Sequence, residues 1–286
     1  MLRIRRMTVA DVPLGMRLKA QAGWNQTEAD WLRFLDMQPD GCFVAELDGS
    51  PVGTAVGCAF GPVAWIAMVL VEEAVRGLGI GTALGRHAVL FAEEQGATSI
   101  RLDATSHGQP VYEKLGLVRQ YELARYAGTL SQRACEPRTR PATPASLRVA
   151  VQADYEAVFA LDYVSTQTDR RKFLTRLFHE RPAQVYVVDC GGQIEGYLAM
   201  RSGSAAVQLG PCIANADAGE RLLSDATRRF AGAQVYLDVP CAFDRACQIA
   251  EASGLVRQRT FMRMCRGVSV SENRDRLWAS SGPELG

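Results

Sequence analysis

At 286 residues, 48% of them hydrophobic, the chain has material for two ordinary domains with buried cores. Thirty-two basic residues stand against thirty-one acidic ones, a formal charge of +1, and no run of Lys or Arg follows a phosphate backbone, which argues against a nucleic-acid partner. Eight cysteines, at 42, 58, 135, 190, 212, 241, 247 and 265, form no C-x-x-C pair and meet no histidine cluster, so reduced thiols in a cytoplasmic protein without a metal are expected.

The chain opens Met1-Leu-Arg-Ile-Arg-Arg6, charged and unlike a signal peptide. Trp24-Asn25-Gln26 leads into Thr27-x-x-Asp30, a capping-box pattern that predicts a helix start. Strand signals follow at Phe43 to Leu47, with Asp48-Gly49 supplying hairpin chemistry. From Ser50 to Val71 there is no charged residue, long enough to cross a bilayer. Pro51, Gly53, Gly57, Gly61 and Pro62 argue instead for two buried strands, Val52 to Phe60 and Trp65 to Val71, and against a membrane partner. A helix after Gly79 shows Ile80, Ala83, Leu84, Ala88 and Phe91 on one face and stops near Gly96; Ile100 to Ala104 reads as a further strand.

The second half repeats the first. Ala10-Asp11 falls on Ala153-Asp154, Leu18 on Leu161, Arg33 on Arg176 and Pro39 on Pro182, all at one offset of 143. The hairpin from Phe43 to Gly49 falls on Tyr186 to Gly192 at that same offset. Later, Leu102-Asp103 matches Leu237-Asp238 at offset 135, and Gly-Leu-Val-Arg-Gln recurs at 116–120 and 254–258. Each copy reads as an α/β (α+β) arrangement of a mixed sheet flanked by helices. The expected organisation is a first domain over 1–130, a Pro-rich linker over 131–146, a second domain over 147–267 and a mobile polar tail over 268–286.

Between an apolar strand and a helix lies Glu72-Glu-Ala-Val-Arg-Gly-Leu-Gly-Ile-Gly-Thr82. Glycines at 77, 79 and 81 let backbone N–H groups converge on phosphate oxygens, and the helix dipole adds about 0.3–1 kcal/mol per charge. A dinucleotide fingerprint fails, because Thr82 or Leu84 stands where its last glycine belongs. A nucleotide P-loop fails as well, because the chain has no Gly-Lys pair.

Arg76-x-x-Gly-x-Gly81 after a strand, followed by Val111-Tyr-Glu-Lys-Leu-Gly-Leu117, resembles the GNAT superfamily of acyl-CoA N-acyltransferases. The whole chain is similar to a bacterial two-domain branch with a degenerate second GNAT-like module. The resemblance implies tandem GNAT-like mixed sheets and acetyl-CoA as cosubstrate. Backbone groups of Val69, Leu70 and Val71 would pair with the pantetheine arm, and Arg76, Gly77, Leu78, Gly79, Ile80, Gly81 and Thr82 would hold the pyrophosphate. Tyr112 would protonate the departing thiolate, and Trp24, Asn25 and Trp65 would border the acceptor, a small-molecule amine. Family members commonly carry Asn where this chain has Thr105 to Pro110, so contacts in that segment do not transfer.

The second copy has Ala250 in the place of Tyr112 and no glycine loop between Gly210 and Leu222, which reads as a structural partner walling off part of the acceptor pocket, although a regulatory ligand site would leave the same trace. Glu28, Asp30, Glu72, Glu73, Asp103 and His107 are candidates for the base, alongside water relaying the proton to bulk; spacing singles out none of them. Besides the N-acetyltransferase reading, a coenzyme-A-binding sensor and a non-catalytic scaffold remain open.

Overall fold

The computed structural model describes residues 1–131 and 145–286, so the expected linker falls almost wholly outside the described residues. The chain divides into two compact units. The first comprises Met1–Gln120, Met262–Ser269 and Pro283–Leu285; the second comprises Tyr121–Phe261, Val270–Gly282 and Gly286. The units therefore do not coincide with the two sequence copies, since the end of each copy is built into the unit of the other.

In the first unit β1 (Leu2–Arg6) precedes two helices, α1 (Val12–Gln21) and α2 (Glu28–Met37), then β2 (Cys42–Leu47), β3 (Ser50–Phe60) and β4 (Val63–Val71). After the glycine loop come α3 (Ile80–Glu94), β5 (Ser99–Ala104), α4 (Gln109–Lys114) and the start of β6 (Val118–Thr129). The uncharged stretch is the β3–β4 hairpin, turning at Gly61-Pro62, and among the described residues no helix is long and apolar enough to cross a membrane. At the start of α2 the Asp30 carboxylate accepts both the backbone N–H and the hydroxyl of Thr27, at 2.7 and 2.9 Å. Strands β1 to β4 pair antiparallel in sequence order, β4 and β5 pair parallel, and Met262–Gly267 add the next strand antiparallel to β5. The apolar face of α3, with Ile80, Leu84, Ala88 and Phe91, covers the sheet against Phe43, Ala55, Ile66 and Leu102.

The second unit repeats this plan with β7 (Ala145–Val149), α5 (Tyr155–Thr166), α6 (Arg171–Glu180), β8 (Val185–Cys190), β9 (Gln193–Arg201), β10 (Val207–Ala214), α7 (Ala216–Arg229), β11 (Gln234–Pro240), α8 (Asp244–Ala252) and the start of β12 (Val256–Gly267). Its sheet runs β7-β8-β9-β10-β11, again with one parallel pair, β10 with β11, and β6 lies antiparallel on β11. Side chains repeat with the strands. Arg5 donates to Asp11 and Glu46 in the first unit, and Arg148 donates to Asp154 and Asp189 in the second, each residue displaced by the same 143 positions.

The exchanged strands each carry a buried arginine. Arg263, beside β5, makes two hydrogen bonds to Asp103 at 2.7 and 2.8 Å; Arg125, on β6, makes two at 2.7 Å to Asp238 of β11. Removing one member of such a desolvated pair typically costs about 3–5 kcal/mol, so each pair secures the strand that completes its sheet. The segment after Gly267 corrects the expectation of a mobile tail. A 3-10 turn at Arg274–Arg276 leads into β13 (Leu277–Ala279), which pairs with β10, because three apolar residues find a buried slot there.

Candidate active site

The site is built where β4 and β5 part. Their parallel ladder covers Val63 to Trp65 against Ser99 to Arg101 and then stops, while the opposite edge of β4 stays paired with β3 through Leu70↔Thr54 and Val71↔Gly53. An extra residue in β4 marks the parting. Met68 takes a φ of 53°, and its carbonyl accepts the Thr54 hydroxyl at 2.9 Å. Such a bulge bends the strand and re-aims its main chain. Val69 to Val71 thus form a strand end paired with β3 on one edge, and beyond Trp65 the parallel ladder offers no strand on the other.

The loop continues from that end. Arg76 folds back so that its Nε donates to the Val71 carbonyl at 3.1 Å, and the side chain stays half-exposed beside Glu73. Gly77 and Gly79 both adopt left-handed backbone, φ 85° and 78°, and a Cβ built on either would meet nothing within 4 Å. Two left-handed glycines in three residues keep side chains away from this stretch of main chain and let an anion approach its N–H groups closely. Gly79 is also the N-cap of α3, and no side chain caps it. The first-turn amides, which every helix leaves without intrahelical partners, are open to a ligand here. Leu78 is exposed, Ile80 is anchored in the core, and Gly81 lies against Val71, so the loop is held at both ends.

Tyr112 sits on α4 with its ring over α3: a Cβ at Gly85 would lie 3.8 Å from Tyr112 Cε1. Burial pushes its phenol above the ordinary value, so the proton is retained at neutral pH. The acceptor candidates separate. Trp24 and Asn25 lie in the α1–α2 connection, Trp24 partly buried and Asn25 buried. Trp65, by contrast, is a core residue of the ladder, with the Arg101 and Arg263 guanidinium carbons 5.3 and 4.9 Å from its ring centre.

Two family models match the chain in tandem: the acetyltransferase (GNAT) family over residues 16–117 and an acetyltransferase (GNAT) domain over residues 158–279. The chain belongs to the GNAT acetyltransferase family. It is 27% identical over 231 residues to the uncharacterized N-acetyltransferase YitH of Bacillus subtilis (strain 168), covering 79% of this chain and 77% of that protein. Among solved structures it is similar in fold to a putative acetyltransferase from Pyrococcus horikoshii (TM-score 0.81, 22% identity, 100% of this chain and 96% of that one). A tandem GNAT protein from the clavulanic acid biosynthesis pathway is a second such neighbour (TM-score 0.66, 16% identity, 95% and 100%).

Within this GNAT fold the acidic candidates for the base sort by their partners. Asp30 is occupied by Thr27 and Arg33, and Asp103 by Arg263; both are structural. Glu72, at the end of β4, receives hydrogen bonds from Gln21 and Arg17, and these lower its carboxyl below the ordinary value, Gln21 first. Glu28, Glu73 and His107 are exposed. Gln21 and Arg17, which sequence reasoning did not single out, tie the C-terminal end of α1 to the entrance of the loop; Gln21 also accepts the Glu73 N–H at 3.2 Å. Among the described residues, no three or more His, Cys, Asp or Glu are grouped to hold a metal ion.

Proposed function

We propose that the first unit binds acetyl-CoA and transfers its acetyl group to the amine of a small molecule by direct attack. The observation that carries this reading is the conjunction of an uncapped α3 N-terminus, a left-handed glycine pair and a β4 end without a ladder on one edge. A pyrophosphate fits the first two features, since both present N–H groups to an anion. An extended amide-bearing arm fits the third, because its amides can exchange hydrogen bonds with Val69 to Val71 as a neighbouring strand would.

In this reading the neutral amine attacks the thioester carbonyl carbon, the C–N bond forms and the C–S bond breaks. Tyr112 donates a hydrogen bond to the sulfur as its charge develops. Burial raises its pKa, so the phenol carries its proton at neutral pH and can donate it to the sulfur as the C–S bond breaks. Proton loss from the acceptor ammonium passes to water in this reading, because Asp11, Asp30, Asp103 and Glu284 are hydrogen-bonded to Arg5, Arg33, Arg263 and Gln26 and Glu72 is held as a weak base.

Calorimetry with acetyl-CoA on the wild type and on Gly79→Glu tests the binding site, with binding lost in the variant; equal binding by both would sink the loop assignment. Thiol release followed across a panel of small amines tests the enzyme reading. Tight coenzyme binding without release on any amine would favour a sensor instead.

A further inference from the structure

The fork between β10 and β11 is the second unit's counterpart of the fork between β4 and β5. Each begins with a three-residue parallel ladder, Val207–Leu209 on Val235–Leu237 in one case and Val63–Trp65 on Ser99–Arg101 in the other. Each is followed by an irregularity in the first strand, with the β10 register shifting between Leu209 and Cys212. The second fork, however, contains a piece of the chain itself. β13 pairs antiparallel with β10 through Cys212↔Ala279 and Ile213↔Leu277, and the Ser280 N–H donates to the Asp238 carbonyl of β11 at 2.8 Å. One short segment is thus hydrogen-bonded to both strands of the fork. Leu277 to Ser281 are all buried.

The helix that follows the fork is altered to match. Trp278 lies on the first turn of α7, where a Cβ on Gly219 would come within 2.0 Å of its indole ring; the Phe243 ring meets it edge-on at 4.8 Å. The α7 N-terminus is closed by its own sequence, because the Asn215 side chain accepts the Ala218 N–H at 2.9 Å. The equivalent turn of α3 starts at Gly79 with no side-chain cap. In the second fork the strand edge is taken up by the chain itself, and one first-turn amide of the helix is capped by Asn215, whereas the first fork has neither feature.

We propose that residues 277–281 act as an internal ligand of the second fork, occupying the position that the pantetheine arm takes in the first, so that the second unit is locked against coenzyme. This rests on the acyl-CoA reading of the first unit. The sequence at 277–281 mimics an extended amide chain because it is one: its backbone supplies the strand-like hydrogen bonds, and Trp278 fills the apolar space beside α7.

Hydrogen exchange on the full chain, with and without saturating CoA, tests this together with a calorimetric stoichiometry. The expected result is that the amides of Cys212, Ile213 and Leu277 to Ser280 exchange in concert, about 100-fold or more slowly than exposed chain. CoA slows exchange over 69–82, leaves 207–219 and 277–280 unchanged, and binds once per chain. Trp278→Ser, or Gly219→Val should that variant unfold, releases 212–213 and 277–280 together while one CoA still binds. Free exchange at 277–280 in the wild type, CoA-dependent changes at 207–219, or two CoA per chain each overturn the proposal. Absence of any CoA effect at 69–82 overturns instead the acyl-CoA reading beneath it, and is told apart by intact protection at 277–280.

Discussion

Replacing Gly79 by alanine separates what the loop does for folding from what it does for a ligand. At φ 78° an alanine is forced into left-handed backbone, at a cost of about 1–2 kcal/mol. Nothing inside the protein adds to that cost, since the new Cβ meets no atom within 4 Å. Gly96 provides a matched control: its φ is 83°, its Cβ direction is equally open, and it lies past the far end of α3, about 22 Å along the helix axis. Both variants should lose the same stability, about 2–8 °C in Tm. If the N–H groups around Gly79 hold a pyrophosphate, their tilting in Gly79→Ala forfeits one charge-assisted hydrogen bond of about 1.5–3 kcal/mol, a loss of roughly 10- to 100-fold in affinity. Calorimetry with acetyl-CoA should therefore show this loss in Gly79→Ala and wild-type affinity in Gly96→Ala. Equal affinities in the two variants would refute the cradle and leave only backbone strain.

Tyr112→Phe should lower turnover by about 10²–10⁴ and leave coenzyme affinity nearly unchanged, read by steady-state thiol release beside calorimetry; unaltered turnover removes Tyr112 from the chemistry. Asp103→Asn breaks the buried pair with Arg263 and should cost about 3–5 kcal/mol in urea unfolding, whereas a loss below about 1 kcal/mol would show that the pair does not secure the strand. The Asp11 carboxyl is held at about 2, below its ordinary 3.8, first by its hydrogen bonds from Arg5. Because the folded value is the lower one, the stabilisation is whole above about pH 4 and fades as pH falls through 2. Asp11→Asn should thus cost about 2 kcal/mol at pH 6, with the gap to wild type closing on acidification; a gap independent of pH contradicts the ion pair.

Much of the fold was legible because its signals are local. Alternation and turn chemistry mark β2 to β4, the 3.6-residue pattern marks α3, and the spacing of Gly77, Gly79 and Gly81 marks the phosphate-binding turn without any tertiary information. The strand exchange was not legible, for a specific reason. The Gly-Leu-Val-Arg-Gln stretches at 116–120 and 254–258 are identical, so nothing in either strand's own pattern says which sheet it completes. The buried Arg–Asp pairs do not distinguish the two arrangements either, since Arg125 with Arg263 and Asp103 with Asp238 hold equivalent places in the two copies. The seat of β13 was hidden as well, since Leu277-Trp-Ala279 is too short for a period and is flanked by Ser, Gly and charged residues that read as tail. Trp65 looked like a pocket wall because an aromatic at the start of an apolar strand serves either role. The two arginines beside its ring, one of them far along the chain, and its burial place it in the interior.

The same exchange constrains how the two copies can diverge. Each sheet draws its last strand from the other copy, so a cut between the copies would remove Arg263 from Asp103 and Arg125 from Asp238, leaving carboxylates that are now buried without the guanidinium that neutralises them. Neither copy can be discarded once the other has come to depend on its strand, even after its own site is gone. Within that constraint the second copy is free to lose Gly-x-Gly and the tyrosine, but not to leave a fork of buried, unpaired backbone. Unsatisfied main-chain groups in such a slot cost about 1–3 kcal/mol each. On the reading that the second fork is a former coenzyme site, its main chain needs another source of hydrogen bonds, and Asn215 with residues 277–280 supply them from the chain itself.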